Sequence, residues 1–497
     1  MPPDSPTGAA VAPRASRTFV AACLVLGALL VALCVWLAQR EYFFADDLIF
    51  LRRAQFPRDW LEVFVSFSPR GWWSYRPLSI EVFFSTLYAV AGLDPFPYLL
   101  ASVLVHFATG LLVYRLAVQL ELERRVALIA SLLSVSMYPS LNGELFWTSA
   151  FQTVSGCFLY LLTATLFVDY LTHGRRRDQV AASAAMILGL LCNELSMTLP
   201  GPLVLLAWYF GTDGAGPRLR GALLASAPMV VILAVYLPFR YLLIGASFLP
   251  TPVLNLPHLG WHVFTNVLVF LRMLSKLSGT MQVVVLAIVA AGWLFAARTR
   301  AGAALTLARR CVLLGGWLLC VMAPFLGCYF LYHRCAIALE APFCLLLAAH
   351  LDPIVRAAAT TLRTSRLVEV AMIGLLVAAF PYEVTGDQVR MPQGKVNRDL
   401  LEILDREAAG LPTGTCVRLR TRPGDSWTAH DILVLRVRTT AILAVYHPGR
   451  HLELPAAPGQ PQIWRQDCVG VLEIEVLHGV EGSRSTFELR RVGQAAS

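Results

Sequence analysis

Apolar residues in this chain gather into membrane-length runs, and charged residues fall mostly between them. Runs near 18–38, 97–119, 126–139, 151–171, 179–197, 199–211, 220–240, 280–297, 310–329, 335–350 and 367–381 predict about eleven spanning helices. A helix crossing the hydrocarbon core needs ~20 apolar residues, and these runs sit at or somewhat below that length. Beyond 382 the pattern changes to short alternating segments. Asn397 to Ala408 predicts a helix. Cys416 to Arg420, Asp431 to Val437, Thr440 to Val445, Val469 to Val476 and Ser485 to Arg491 predict strands, separated by Gly, Pro and Asp turns. The expected fold class is an α-helical polytopic membrane protein with a small C-terminal β-rich domain. Residues 1–17 are expected to be a disordered N-terminus, 18–381 the transmembrane domain and 382–497 an α+β tail.

Charge orients the runs. Glu121-Leu122-Glu123-Arg124-Arg125, Arg175 to Arg177, Arg218 with Arg220, Arg298 through Arg310, and Arg356 through Arg366 alternate with nearly uncharged loops. Basic loops stay on the cytoplasmic side, so these five and the N-terminus are expected inside. An odd number of crossings then puts the tail and the long loop 39–96 outside. Arg14 and Arg17 before the first run resemble a signal-peptide start. The run is longer than a signal core and no clear cleavage site follows, so it reads as a retained anchor. Three outer segments look interfacial: Trp60 to Phe67, Leu78 to Val90 and Pro257 to Lys276.

Composition narrows the class further. With 57% hydrophobic and 15% charged residues and a mean hydropathy of +0.62, a soluble globular protein is excluded. The net charge of +9 lies in short loops between runs and not on one face. It is a topology signal, and no nucleic-acid partner is expected. Nine of the eleven cysteines fall in or beside apolar runs, where a thiol behaves as a small hydrophobe. Cys416 and Cys468 lie in the polar tail and are candidates for a disulfide in an oxidising compartment.

Candidate chemistry starts at Asp46-Asp47, just past the first run and behind aromatic Tyr42, Phe43 and Phe44. The pair either solvates a helix end or includes a base facing a membrane-borne substrate. Tyr75-Arg76-Pro77 in the same loop offers a forked guanidinium for phosphate, or a snorkelling anchor. Arg240, Arg272 and Tyr332-His333-Arg334 add cationic groups on the expected outer side. His106 sits alone on an apolar helix. Asn193-Glu194 places an acid near membrane depth, where it needs a partner or a cavity. Asn142 and Glu144 flank an outer turn. His258 and His262 have a metal-pair spacing without a third ligand nearby, and with Asn266 they form a polar stripe. No metal site and no cofactor are expected.

Ala45-Asp46-Asp47, Tyr75-Arg76-Pro77-Leu78, Gly92-Leu93-Asp94-Pro95 and Leu104-Val105-His106 together resemble the GT-C superfamily of polytopic glycosyltransferases. Later matches are Asn193-Glu194 with Pro200, where relatives often carry Lys-Glu and a proline, and His333-Arg334, where they often carry Glu-Arg-Tyr. The likeness is to protein O-mannosyltransferases, lipid A aminoarabinose transferases and bacterial relatives of the transmembrane O-mannosyltransferases with tetratricopeptide repeats. This chain shows no such repeats. The resemblance implies an inverting transfer of sugar from a polyprenyl-phosphate donor to a glycan, lipid or protein acceptor on the outer face. Asp46 or Asp47 would be the base, and Arg76 and Arg334 would stabilise the leaving phosphate. Tyr75, His106, Arg240, Arg272 and His333 are further donor-site candidates. Asn142, Glu144, Glu194, His258 and His262 are candidate acceptor-side or supporting residues. The expected location is a bacterial inner membrane with the N-terminus cytoplasmic and the tail periplasmic; the endoplasmic reticulum stays open. A transporter, a lipid flippase or a non-catalytic relative is the alternative.

Overall fold

A computed structural model describes residues 16–43, 46–55, 63–64, 75–137, 145–211, 215–244, 265, 279–299, 301–326, 333–358, 362–379, 406, 416–421, 451–453, 471–481 and 484–495. At some of these, His333 and Arg334 among them, and throughout the strands, only the backbone is described.

The described helices are α1 (Arg17–Ala38), α2 (Asp46–Ala54), a π-helical turn (Pro77–Val82) running into α3 (Phe83–Ala91), α4 (Pro95–Gln119) and α5 (Arg124–Ser136). They continue with α6 (Phe151–His173), α7 (Arg176–Cys192), α8 (Pro200–Phe210), α9 (Ala215–Ile244), α10 (Gly279–Thr299), α11 (Ala301–Leu326), α12 (His333–Ala358) and α13 (Leu362–Ala379). Each of the eleven apolar runs coincides with one of these helices. Among the described residues, six helices are long and apolar enough to cross a membrane: those at Arg17–Ala38, Pro95–Gln119, Thr148–His173, Arg218–Leu243, Gly302–Pro324 and Ile337–Ala358. Shorter apolar helices lie at Pro77–Ala91, Pro200–Phe210 and Val283–Arg298. Local signals set several boundaries. Asp94 caps the start of α4 by accepting from the Phe96 N–H, with proline next to it. Gly174, in the left-handed region, ends α6.

The helices pack around α6 and α12. Helix α6 lies against α4 and α7, while α12 lies against α5, α10 and α11. Their shared core includes Trp317, Tyr160, Leu199, Leu203 and Val126. Outward faces stay apolar: Leu111, Leu242 and Leu286 are exposed, as expected where lipid takes the place of water.

Charged side chains collect at the helix ends that carry the basic loops. Asp352 on α12 accepts from Arg310 at 2.8 Å, Arg356 at 2.9 Å and the Glu123 N–H at 2.8 Å. Arg310 donates onward to the Leu120 and Glu121 carbonyls. Arg125, almost fully buried, reaches Glu123, Ser365 and Glu369, and Glu369 holds Ser16 at the start of α1. These contacts tie α1, α5, α11, α12 and α13 together at one end.

In the tail, β1 (Cys416–Thr421), β2 (His451–Glu453), β3 (Val471–Glu481) and β4 (Arg484–Ala495) form one sheet in the order β2-β1-β3-β4. The first three are parallel and β4 pairs antiparallel with β3. Three of the expected strands coincide with β1, β3 and β4, and β2 was not foreseen. The expected strands near 431–445 and the helix at 397–408, apart from Arg406, lie outside the described residues.

Candidate active site

The opposite ends of the helices carry a second polar cluster, organised by a break in α7. Asn193 leaves the helix with extended backbone (φ −160°, ψ 139°), and its side chain accepts from the Leu195 N–H to start a short turn at Glu194–Thr198. A helix end leaves its last carbonyls without intrahelical partners. Two hydroxyls take them up here: Ser79 donates to the Cys192 carbonyl at 2.6 Å and Tyr236 to the Leu190 carbonyl at 3.0 Å. Ser79 sits three residues after Arg76 and Tyr236 four before Arg240. Capping the break therefore brings both arginines to Glu194, beside the negative end of the α7 dipole.

The result is one carboxylate between two guanidinium groups. Arg76 donates from Nε at 2.6 Å and from Nη2 at 2.6 Å to Glu194 Oε2. Arg240 Nη1 donates to Oε1 at 2.8 Å. Arg76 Nη1 also bonds Gln152 in the first turn of α6. The turn at 193–194 has little room to move, because a Cβ added at Gly156 of α6 would meet the Asn193 Cβ at 2.6 Å.

Asp47 reaches the same helix start from the other side. It opens α2, where acids are favoured by the helix dipole. Its Oδ1 accepts from the Ser149 N–H at 2.6 Å and from the Ser149 hydroxyl. Asp47 is fully buried, while Asp46 is only partly so. Helix α2 is held in place by Phe50 against Phe84 (5.2 Å between rings) and by the Arg53–Glu81 ion pair. Phe83 stacks on Phe151 at 3.7 Å. Ser149 and Gln152 are three positions apart, one helical turn, so the Asp47 and Arg76 contacts converge on one end of α6.

The remaining candidates divide. Tyr75 is buried, edge-on to Phe239, and its hydroxyl donates to the Phe64 carbonyl at 2.9 Å. Burial first, then Tyr236, pushes its phenol up to about 12, so it remains a donor at neutral pH. His106 is buried in α4 and bonds the Val135 carbonyl at 3.0 Å. It lines a cavity of ≈ 20 Å³ with Ser134, Tyr160, Trp317 and Glu340, large enough for about one water molecule. His333 and Arg334 open α12, but their side chains are outside the described ones. Asn142, Glu144, His258, His262, Arg272 and Cys468 lie outside the described residues, and Cys416 is described only as the first residue of β1. Among the described residues, no group of three or more His, Cys, Asp or Glu is placed to hold a metal ion.

Sequence reasoning missed Ser149, Gln152, Tyr236 and Glu340. Tyr236 was legible as the residue one helical turn before Arg240, and Glu340 as an acid inside an apolar run. Nothing local marks Ser149 or Gln152 beyond two polar residues at the start of a span.

The fold and the cluster define a polytopic helical membrane protein with a charged site at one end of its helices. No protein-family model matches the chain, and a search of curated proteins returns no match. Solved structures of similar fold include ArnT from Cupriavidus metallidurans bound to undecaprenyl phosphate, at 14% identity over 92% of each chain and a TM-score of 0.46. Its apo state matches at 14% identity over 92% of this chain and 93% of that one, with a TM-score of 0.47. The oligosaccharyltransferase from Archaeoglobus fulgidus, in complex with Zn and sulfate, matches at 15% identity over 89% of this chain and 62% of that one, with a TM-score of 0.49. At these identities and scores the likeness assigns neither activity nor ligand.

Proposed function

We propose that this chain is an integral-membrane glycosyltransferase that moves a sugar from a polyprenyl-phosphate donor to an acceptor at the outer face. The observation that carries this reading is the convergence of Asp47, through Ser149, and Arg76, through Gln152, at the start of α6. A transferase of this kind needs a carboxylate within reach of an acceptor hydroxyl and cations at the leaving phosphate. The cluster supplies both chemistries within one short stretch of structure.

The two aspartates take different parts. Asp47, fully buried and bonded to Ser149, holds α2 against the start of α6. Asp46, next to it and partly exposed, takes the proton from the acceptor hydroxyl as that oxygen attacks the anomeric carbon. Attack opposite the leaving group inverts the configuration. The departing phosphate is already anionic, so it needs positive charge and not an acid. Arg76 and Arg240 provide it from fixed positions, the kind of pre-set electrostatic stabilisation that dominates many enzymatic rate gains. Undecaprenyl phosphate, which ArnT is bound to in its solved structure, belongs to the lipid class proposed here.

The test is transfer itself. Purified protein in nanodiscs, given radiolabelled polyprenyl-phosphate sugars and a membrane-extract acceptor, should release label from the lipid phase. The Asp46→Asn variant should not. Equal release by both would reject the mechanism.

A further inference from the structure

The carboxylate between the arginines already presents what a phosphate would present. Glu194 offers one oxygen to two donors of Arg76 and the other oxygen to Arg240. Forked donors meeting paired anionic oxygens is also how guanidinium groups grip phosphate. The Arg76 and Glu194 side chains keep 23% and 16% of their surface exposed, whereas Arg240 keeps 4%. An incoming anion therefore meets the Arg76–Glu194 face first. The backbone under Glu194 is pinned by the Asn193 side chain and its close approach to Gly156. The side chain beyond it retains its own torsions, so the carboxylate can swing away without moving the turn.

We propose that Glu194 is a resident anion that the donor phosphate displaces, an internal latch that competes with lipid phosphate for Arg76 and Arg240. This rests on the reading that Arg76 receives the donor phosphate. With the site empty, the latch keeps two guanidinium groups oriented and matched in charge. The binding-competent state is then only a fraction of the population, and apparent affinity falls by that fraction. The latch also acts after transfer. The donor phosphodiester carries one negative charge, whereas the released phosphomonoester carries about −1.5 to −2 at neutral pH. The product would otherwise hold the arginines more tightly than the donor. The returning carboxylate competes for the same donors and speeds release.

The experiment measures binding of undecaprenyl phosphate to the full chain in detergent, with undecaprenol as the neutral control. Glu194→Gln keeps the size of the side chain and removes its charge, and should bind undecaprenyl phosphate about tenfold more tightly than the wild type. Undecaprenol binding should not change. Equal or weaker phosphate binding by Glu194→Gln would make Glu194 a support for the arginines and overturn the latch. If that variant does not fold, Glu194→Asp, one methylene shorter, should reach one arginine at a time and still tighten binding several-fold. Equal or weaker binding there overturns the latch as well. Arg76→Ala separates the two levels of the argument. If it binds undecaprenyl phosphate as the wild type does, the phosphate site itself is misplaced and the latch falls with it. If it binds weakly while the Glu194 variants match the wild type, the site stands and the latch alone is removed.

Discussion

At the basic-loop end, Arg310 spends its donors on Asp352 and on two backbone carbonyls; at the other end, Arg76 spends its donors on the side chains of Glu194 and Gln152. The side chains of Arg310 and Asp352 are 6% and 5% exposed, while those of Arg76 and Glu194 are 23% and 16% exposed. The chemistry is shared and the setting is not. A buried cation bonded to backbone is part of the scaffold, because releasing it would strand a charge and several carbonyls. A half-buried cation bonded to side chains and to no backbone carbonyl can change partners without stranding the main chain. One end holds five helices together, and the other is the one we propose receives an anion.

The largest way to break this comparison is through the aspartate pair. Asp46→Asn should lower transfer by ~10²–10⁴-fold with unfolding unchanged, the usual loss when a general base is removed. Asp47→Ala should instead lower stability, because it removes the buried oxygen that accepts two bonds from Ser149. The account fails if these two variants exchange phenotypes in parallel transfer and melting assays.

Next in size is the scaffold end. Asp352→Ala leaves Arg310 without its carboxylate and should destabilise the protein by ~3–5 kcal/mol, as breaking a buried pair does. Thermal unfolding in detergent measures it. A stable variant with selectively weakened lipid binding would mean the two ends have been assigned the wrong way round.

Smaller effects sharpen the end that holds Glu194. Gly156→Ala drives a methyl into Asn193 and should cost ~1–3 kcal/mol through overpacking. By moving the Glu194 carboxylate off the arginines it should also tighten undecaprenyl phosphate binding, which a binding titration would show. Tyr75→Phe removes one hydrogen bond to the Phe64 carbonyl and should cost ~0.5–1.5 kcal/mol. Burial pushes the Tyr75 phenol up to about 12, above an ordinary tyrosine's value. The stability that this shift contributes is present below an ordinary tyrosine's pKa and is lost only as pH rises through 12. Wild type and Tyr75→Phe should therefore share the same melting profile shape between pH 6 and 9. A divergence in that window would contradict the raised value of the Tyr75 phenol.

The helices were legible because apolar runs and basic loops are written locally. Residues 18–38 read as a span and form α1, and the acid pair after it opens α2. The break at Asn193 was not legible, because 179–197 is apolar enough to read as one continuous span. Only the tertiary caps from Ser79 and Tyr236 show where α7 stops. Arg76, Glu194 and Arg240 were each singled out as residues. Their meeting depends on contacts spanning 118 and 46 positions, which no local pattern encodes. Gln152 and Ser149 were missed for the same reason: their importance lies entirely in which distant side chains reach them.

The most direct test of the central claim, that the Arg76–Glu194 cluster and not the scaffold end receives lipid phosphate, is a paired titration of undecaprenyl phosphate. Arg76→Ala and Arg356→Ala each remove one exposed or partly exposed guanidinium, one from each end. Arg76→Ala should bind at least tenfold more weakly than the wild type, and Arg356→Ala should bind as the wild type does. Equal affinities for all three, or a loss confined to Arg356→Ala, would contradict the account.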